Sequence, residues 1–131
     1  MNYVFLIGRI FFSSIFLVKS LGHFSPAMIE HATQMGVPAA SILVPLSGLL
    51  AFLGGLSILL GYKVKVGSLL LILFLLPTTF MMHKFWLTDD FFANMMHQYC
   101  FFKNLSLLGA VLMISYFGTG PLSLDHKKCC K

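Results

Sequence analysis

Charged side chains are scarce in this sequence. They make up 10% of its 131 residues, against about 25% in a typical water-soluble domain. So few charges cannot cover a water-facing surface. Acids are scarcer still, limited to Glu30, Asp89, Asp90 and Asp125. None falls within the long apolar runs, which weakens any self-contained hydrolase or proton-pump mechanism. Cysteine is confined to Cys100, Cys129 and Cys130. They form no CxxC pair and no Cys/His ligand spacing, so neither a disulfide framework nor a metal site is expected. Motifs for haem, flavin or iron–sulfur ligation are also missing. No nucleophile–base pair stands out, so the sequence leaves enzymatic activity open.

Apolar residues are abundant. They account for 58% of the chain, and the mean hydropathy is +0.89. Lipid is therefore the expected solvent. A bilayer-spanning helix needs about 20 predominantly apolar residues. Four stretches qualify, at about 3–21, 40–61, 66–85 and 99–117. The expected fold is all-α, an integral membrane four-helix bundle forming a single domain over 1–131. The first stretch lacks a basic leader and a small-residue cleavage site, and Arg9 interrupts it. It reads as a retained helix rather than a signal peptide.

The net charge of +5 comes from basic residues scattered singly among apolar runs. That pattern provides no phosphate-tracking patch, so nucleic acid is not an expected partner. It fits topogenic and interfacial charge instead. The link "YKVK" holds Lys63 and Lys65, and the tail "DHKKCCK" holds Lys127, Lys128 and Lys131. The two longer links carry Glu30, Asp89 and Asp90. The positive-inside bias then places both termini and the "YKVK" turn in the cytoplasm. Cys129 and Cys130 are expected to remain thiols there.

Polar residues inside the apolar runs are the candidates for function. Arg9, Phe12, Phe16, Lys19 and His23 recur at helical spacing on one face of the first span. The third span ends in "FMMHKFW", with His83 and Lys84 beside Trp86. An interfacial anchor explains Lys84 and Trp86. His83 is less well explained that way. So are Lys103 and Asn104, which start about one turn inside the fourth expected span. Three spans thus bring a basic or imidazole group to a similar outer depth. Arg9, Lys19, His23, His83, Lys103 and Asn104 are the expected ligand-binding set. They suit the polar head of a lipophile, such as a quinone carbonyl or a lipid phosphate, with Met81, Met82, Phe12, Phe16 and Phe101 as walls. The histidine spacings match no metal-ligand pattern. In the second span Ser47, Ala51 and Gly55 recur every fourth residue, a small-residue stripe that lets helix backbones approach closely.

The order of several short motifs is also informative. "LIGRIFFSSIFLVKSLGHF", "MGVP", "GGLSILLGY", "MMHKFW", "FFKNLSLLGA" and "GPLSLD" follow one another along nearly the whole chain. This series resembles the DoxX family of small bacterial four-helix membrane proteins. The resemblance implies an inner-membrane location and association with membrane oxidoreductase systems, including thiosulfate:quinone oxidoreductase subunits and a complex linked to superoxide and thiol defence. Many such sequences carry a glutamate ten residues before the glycine that ends the second helix. Ala51 holds that place here, so a role relying on that carboxylate does not carry over. Two classes of function remain open. One is an accessory subunit of a membrane redox or detoxification system, binding a quinone or similar lipophile, with a soluble or membrane oxidoreductase as partner. The other is a non-catalytic scaffold or small-molecule permeation protein.

Overall fold

A computed structural model describes residues 2–118 and 120–125. The tail carrying Cys129, Cys130 and the last three lysines lies outside the described residues. Five α-helices form: α1 (Asn2–Gly22), α2 (Pro26–Gln34), α3 (Ala40–Leu60), α4 (Val64–Met82) and α5 (Phe91–Phe117), with a 3₁₀ turn at Phe85–Leu87. Among the described residues, α1, α3, α5 and the α4 segment running on through the turn are long and apolar enough to cross a bilayer. Their outward faces are apolar, with Phe11, Val18, Leu69 and Leu112 all more than half exposed. Such a surface needs lipid around it, so this is an all-α integral membrane protein.

Two local features depart from the expected spans, and both have visible causes. The link before the second span contains α2. Ser25 caps it by accepting a hydrogen bond from Met28 N–H, and Pro26 occupies the first turn, where a missing N–H costs nothing. The last span begins at Phe91 rather than at about Tyr99, because the Asp90 carboxylate accepts the Ala93 N–H at 2.9 Å and starts the helix there. At about 1.5 Å per residue, the 27 residues of α5 exceed the hydrocarbon thickness. In contrast α4 stops at Met82, so His83 and Lys84 leave the helix before the 3₁₀ turn. Phe85 and Trp86 in that turn pack with Phe80 and Phe101 as an edge-to-face aromatic cluster. Asn94 donates to the Phe85 and Thr88 carbonyls and fastens the turn to α5.

Neighbouring spans pack through glycines. A Cβ added at Gly48 would lie 2.6 Å from His23 Cβ, and one at Gly55 would lie 3.0 Å from Phe16 Cβ. These two positions bring α3 against α1. On another flank, Gly54 and Gly67 bring α3 against α4: a Cβ at Gly54 would lie 2.7 Å from the Leu71 side chain and 2.9 Å from the Gly67 carbonyl oxygen. Close backbone approach of this kind drives association where lipid removes the hydrophobic driving force. Phe16, Ala51, Ile58, Leu71, Leu75 and Val111 form the core between the spans. α3 ends at Gly61 in the left-handed conformation, φ 66°, with the Gly61 and Tyr62 N–H groups bonded back to Ile58 and Ser57.

Packing runs in sequence: α1 on α3, α3 on α4, α4 on α5. Among the described residues α5 and α1 are not a closely packed pair, and the four spans form an arc with a seam between them. α2 lies on α3 at one end of the arc, where Ala32 packs with Ala40 and Val44.

Candidate functional site

Inside the arc is a cavity of about 470 Å³, within the range that holds small amphiphiles. All four spans line it, and Met28, His31 and Ala32 of α2 roof it. Its body is apolar, with Phe16, Leu50, Ala51, Phe74, Leu75 and Leu107 among its walls. Toward the roof the lining turns basic and polar. Lys19, His23, His31, His83 and Lys103 contribute nitrogens, and Ser20, Ser47, Thr78 and Asn104 add hydroxyls and an amide. Among the described residues no carboxylate lines it. An apolar body with an acid-free basic end matches an amphiphile whose head carries electron-rich oxygens.

The basic groups differ in their freedom. Ser47 Oγ donates to the Val44 carbonyl at 2.7 Å, which uses its one proton. Only lone pairs then remain for His23 Nδ1 at 3.0 Å, so that nitrogen carries the hydrogen. Burial lowers the pKa of His23, and the hydrogen bond to the Val44 backbone offsets this in part. His23 therefore stays neutral at physiological pH and ties α1 to α3. His83 is different. Its Nδ1 is buried with no hydrogen-bond partner among the described residues, and its ring lies 6.0 Å from that of His97. That nitrogen's hydrogen-bonding capacity is unspent, and it lies beneath the cavity surface. Asn104 is buried against the same cavity, whereas Lys19 and Lys103 are exposed at its edge.

Five of the six residues expected from the sequence to bind a ligand thus meet: Lys19, His23, His83, Lys103 and Asn104. Arg9 does not join them. It is 5% exposed and lies ten residues before Lys19, about 15 Å along the helix axis. Its Nη2 donates to the Leu122 carbonyl at 2.6 Å. Asp125 N–H bonds Gly61 O at 2.9 Å beside it, so Arg9 holds residues 120–125 across the opposite end of the arc. Arg9→Met is expected to free that segment, raising its amide exchange several-fold, while leaving any ligand retained in the cavity. Ligand loss in that variant would place Arg9 in the binding machinery after all.

Within the small-residue stripe, Gly55 sits at the tight contact with Phe16, while Ser47 and Ala51 line the cavity. Phe16, Met81 and Met82 are among the walls. Phe12 packs against the core instead, and Phe101 belongs to the aromatic cluster. Ser20, Thr78 and Met28 escaped the sequence reading. Ser20 follows Phe16 by one turn on the same face of α1, a signal that could have found it.

Residues 4–84 match the DoxX family. The chain is similar to the Escherichia coli inner membrane protein YqjF, with 31% identity over 123 residues, covering 92% of this chain and 88% of that one. It is also similar to the Escherichia coli inner membrane protein YphA, with 27% identity over 128 residues, covering 93% and 88%. A shorter match is to the ER-derived vesicles protein ERV29 of Saccharomyces cerevisiae, 32% over 79 residues, or 60% of this chain and 25% of that one. No solved structure gives a significant match. Lys103 and Asn104 lie beyond the stretch that matches the family.

Proposed function

Because this chain belongs to the DoxX family, a multi-pass family with inner-membrane members, we propose that it is an accessory subunit of a membrane redox or detoxification system and that it holds a quinone or similar lipophile in the cavity. The observation that carries this reading is the lining. One end offers the His83 imidazole and the Lys103 ammonium, with no acid among the described lining residues. The other end offers apolar and aromatic walls. A carbonyl oxygen at the first end accepts hydrogen bonds from lysine and imidazole, and the ring and tail occupy the second. The protein's part is to bind and orient the lipophile, and an oxidoreductase partner carries out the electron transfer. The test is purification of the full chain in mild detergent, followed by extraction and mass spectrometry. Near-stoichiometric quinone supports the proposal. A preparation free of quinone from quinone-replete membranes would overturn it.

The reading also includes an orientation. Lys63 and Lys65 lie at the α3–α4 turn, on the face shared by both ends of the bundle, while Glu30, Asp89 and Asp90 lie on the other face. The lysine bias supports cytoplasmic termini and a cavity mouth on the outer side. A reporter active only outside the membrane should be active when fused near Gln34 and inactive after Lys131. The reverse pattern would put the mouth on the cytoplasmic side.

A further inference from the structure

The cavity has a roof and a side opening. At its outer end α2 covers it, with Ala32 1% exposed against Ala40 and Val44 and with Met82 packed beside them. Laterally, α1 and α5 are the two ends of the arc and, among the described residues, are not one of its closely packed helix pairs. The flanks that face this seam follow from the contacts on the other side of each helix. α1 meets α3 through Ser13, Phe16, Leu17, Ser20 and His23. At about 100° per residue, Lys19 lies to one side of that contact, beside Phe16 and His23. α5 meets α4 through Phe101, whose ring packs on Phe80. Lys103 lies two residues after Phe101, about 200° around, on the flank turned away from that aromatic contact. Both lysines are exposed and both line the cavity. They are therefore its two lateral edges, at the depth where it turns from basic to apolar.

We infer that the cavity is loaded from the plane of the bilayer through the seam between α1 and α5, by an amphiphile whose electron-rich head passes between Lys19 and Lys103 while its tail stays in lipid. This rests on the cavity being a ligand site and adds the route and the residues that guard it. Lysines at a membrane interface attract negatively charged heads. Below each lysine the seam is apolar, with Ile15 on α1 and Leu107 on α5 lining the cavity, so a hydrocarbon tail need never leave its solvent. Entry from water would require α2 to lift off α3 and expose Ala32, Ala40 and Val44.

The experiment uses the full chain in nanodiscs containing phosphatidylglycerol with a photoreactive diazirine in its acyl chain. Label is mapped by peptide mass spectrometry. Because Ala51 and Phe74 form the back wall, they should be labelled along with the outward-facing Leu49. The double variant Ile15→Cys with Leu107→Cys, made with Cys100, Cys129 and Cys130 changed to serine, is then bridged by a bis-maleimide. Bridging should cut back-wall label at least fivefold and leave Leu49 unchanged. Lys19→Gln with Lys103→Gln should cut it about threefold without a bridge. A back wall unlabelled in the open protein, or labelled equally after bridging, would overturn the lateral route. Equal label in the glutamine variant would remove the lysines from it. Quinone retention is measured separately, so labelling that succeeds where no quinone is retained counts against the quinone alone.

Discussion

Replacing His83 by leucine together with Lys103 by methionine is expected to strip a bound quinone from the purified protein while the fold persists. On the proposed reading the two side chains are the groups at the basic end of the cavity that meet the head. His83 Nδ1 is buried without a partner, and no carboxylate in the lining neutralises Lys103. A hydrogen bond from a neutral group contributes about 0.5–1.5 kcal/mol and one from a charged group about 1.5–3 kcal/mol. Losing both costs about 2–4 kcal/mol, roughly a 30- to 1000-fold weakening. Either single change leaves the other donor in reach of the same head, so the double variant is the decisive one. Stability separates loss of ligand from loss of fold. Among the described residues no group bonds His83 Nδ1, and an apolar side chain removes an unsatisfied buried nitrogen, so thermal stability without ligand should hold or rise. Lys84→Gln should change retention little, since Lys84 does not line the cavity. Undiminished quinone in the double variant would end the assignment of these residues to the head.

Gly54→Leu is expected to have the largest effect on stability. The Cβ alone would come within 2.7 Å of Leu71 and 2.9 Å of the Gly67 backbone oxygen. A carbonyl in the helix opposite cannot rotate away, so α3 and α4 must separate along the contact that joins the two halves of the arc. Overpacking in a tight interior costs about 1–3 kcal/mol, and a branched side chain against backbone belongs at the upper end. In detergent the melting temperature should drop by several degrees or the protein should fail to accumulate. Gly109→Ala is the control. Nothing lies within 4 Å of a Cβ there, and alanine favours the helix, so stability should be unchanged or slightly higher. If Gly54→Leu behaved like that control, close approach at Gly54 would not hold the arc together.

Much of the architecture is legible in the chain because its causes are local. An apolar run of about 20 residues dictates a span wherever it occurs, since a backbone in lipid must satisfy its own hydrogen bonds. The extra helix and the early start of α5 were legible too. Ser25 before Pro26, and Asp90 before an unbroken helical pattern, are cap signals that hydropathy alone overlooks. The helical period puts Arg9, Lys19 and His23 on one side of α1, and five of the six expected residues line one cavity. A face, however, is not a depth. Arg9 shares that face but is occupied by the Leu122 carbonyl at the far end of the bundle, a contact between residues 113 apart in the chain. Nor does a sequence state which flank of a helix meets its neighbour. Gly48 and Gly55 seat α3 on α1, and Gly54 and Gly67 seat it on α4. Those contacts rotate Lys19 to an open edge, and the aromatic cluster around Phe101 does the same for Lys103. The solvent, the approximate spans and the chemistry available follow from local composition. The seam, and the nitrogen of His83 that stays free, were decided only in the tertiary structure, because both depend on how far apart and at what rotation the packed helices come to rest.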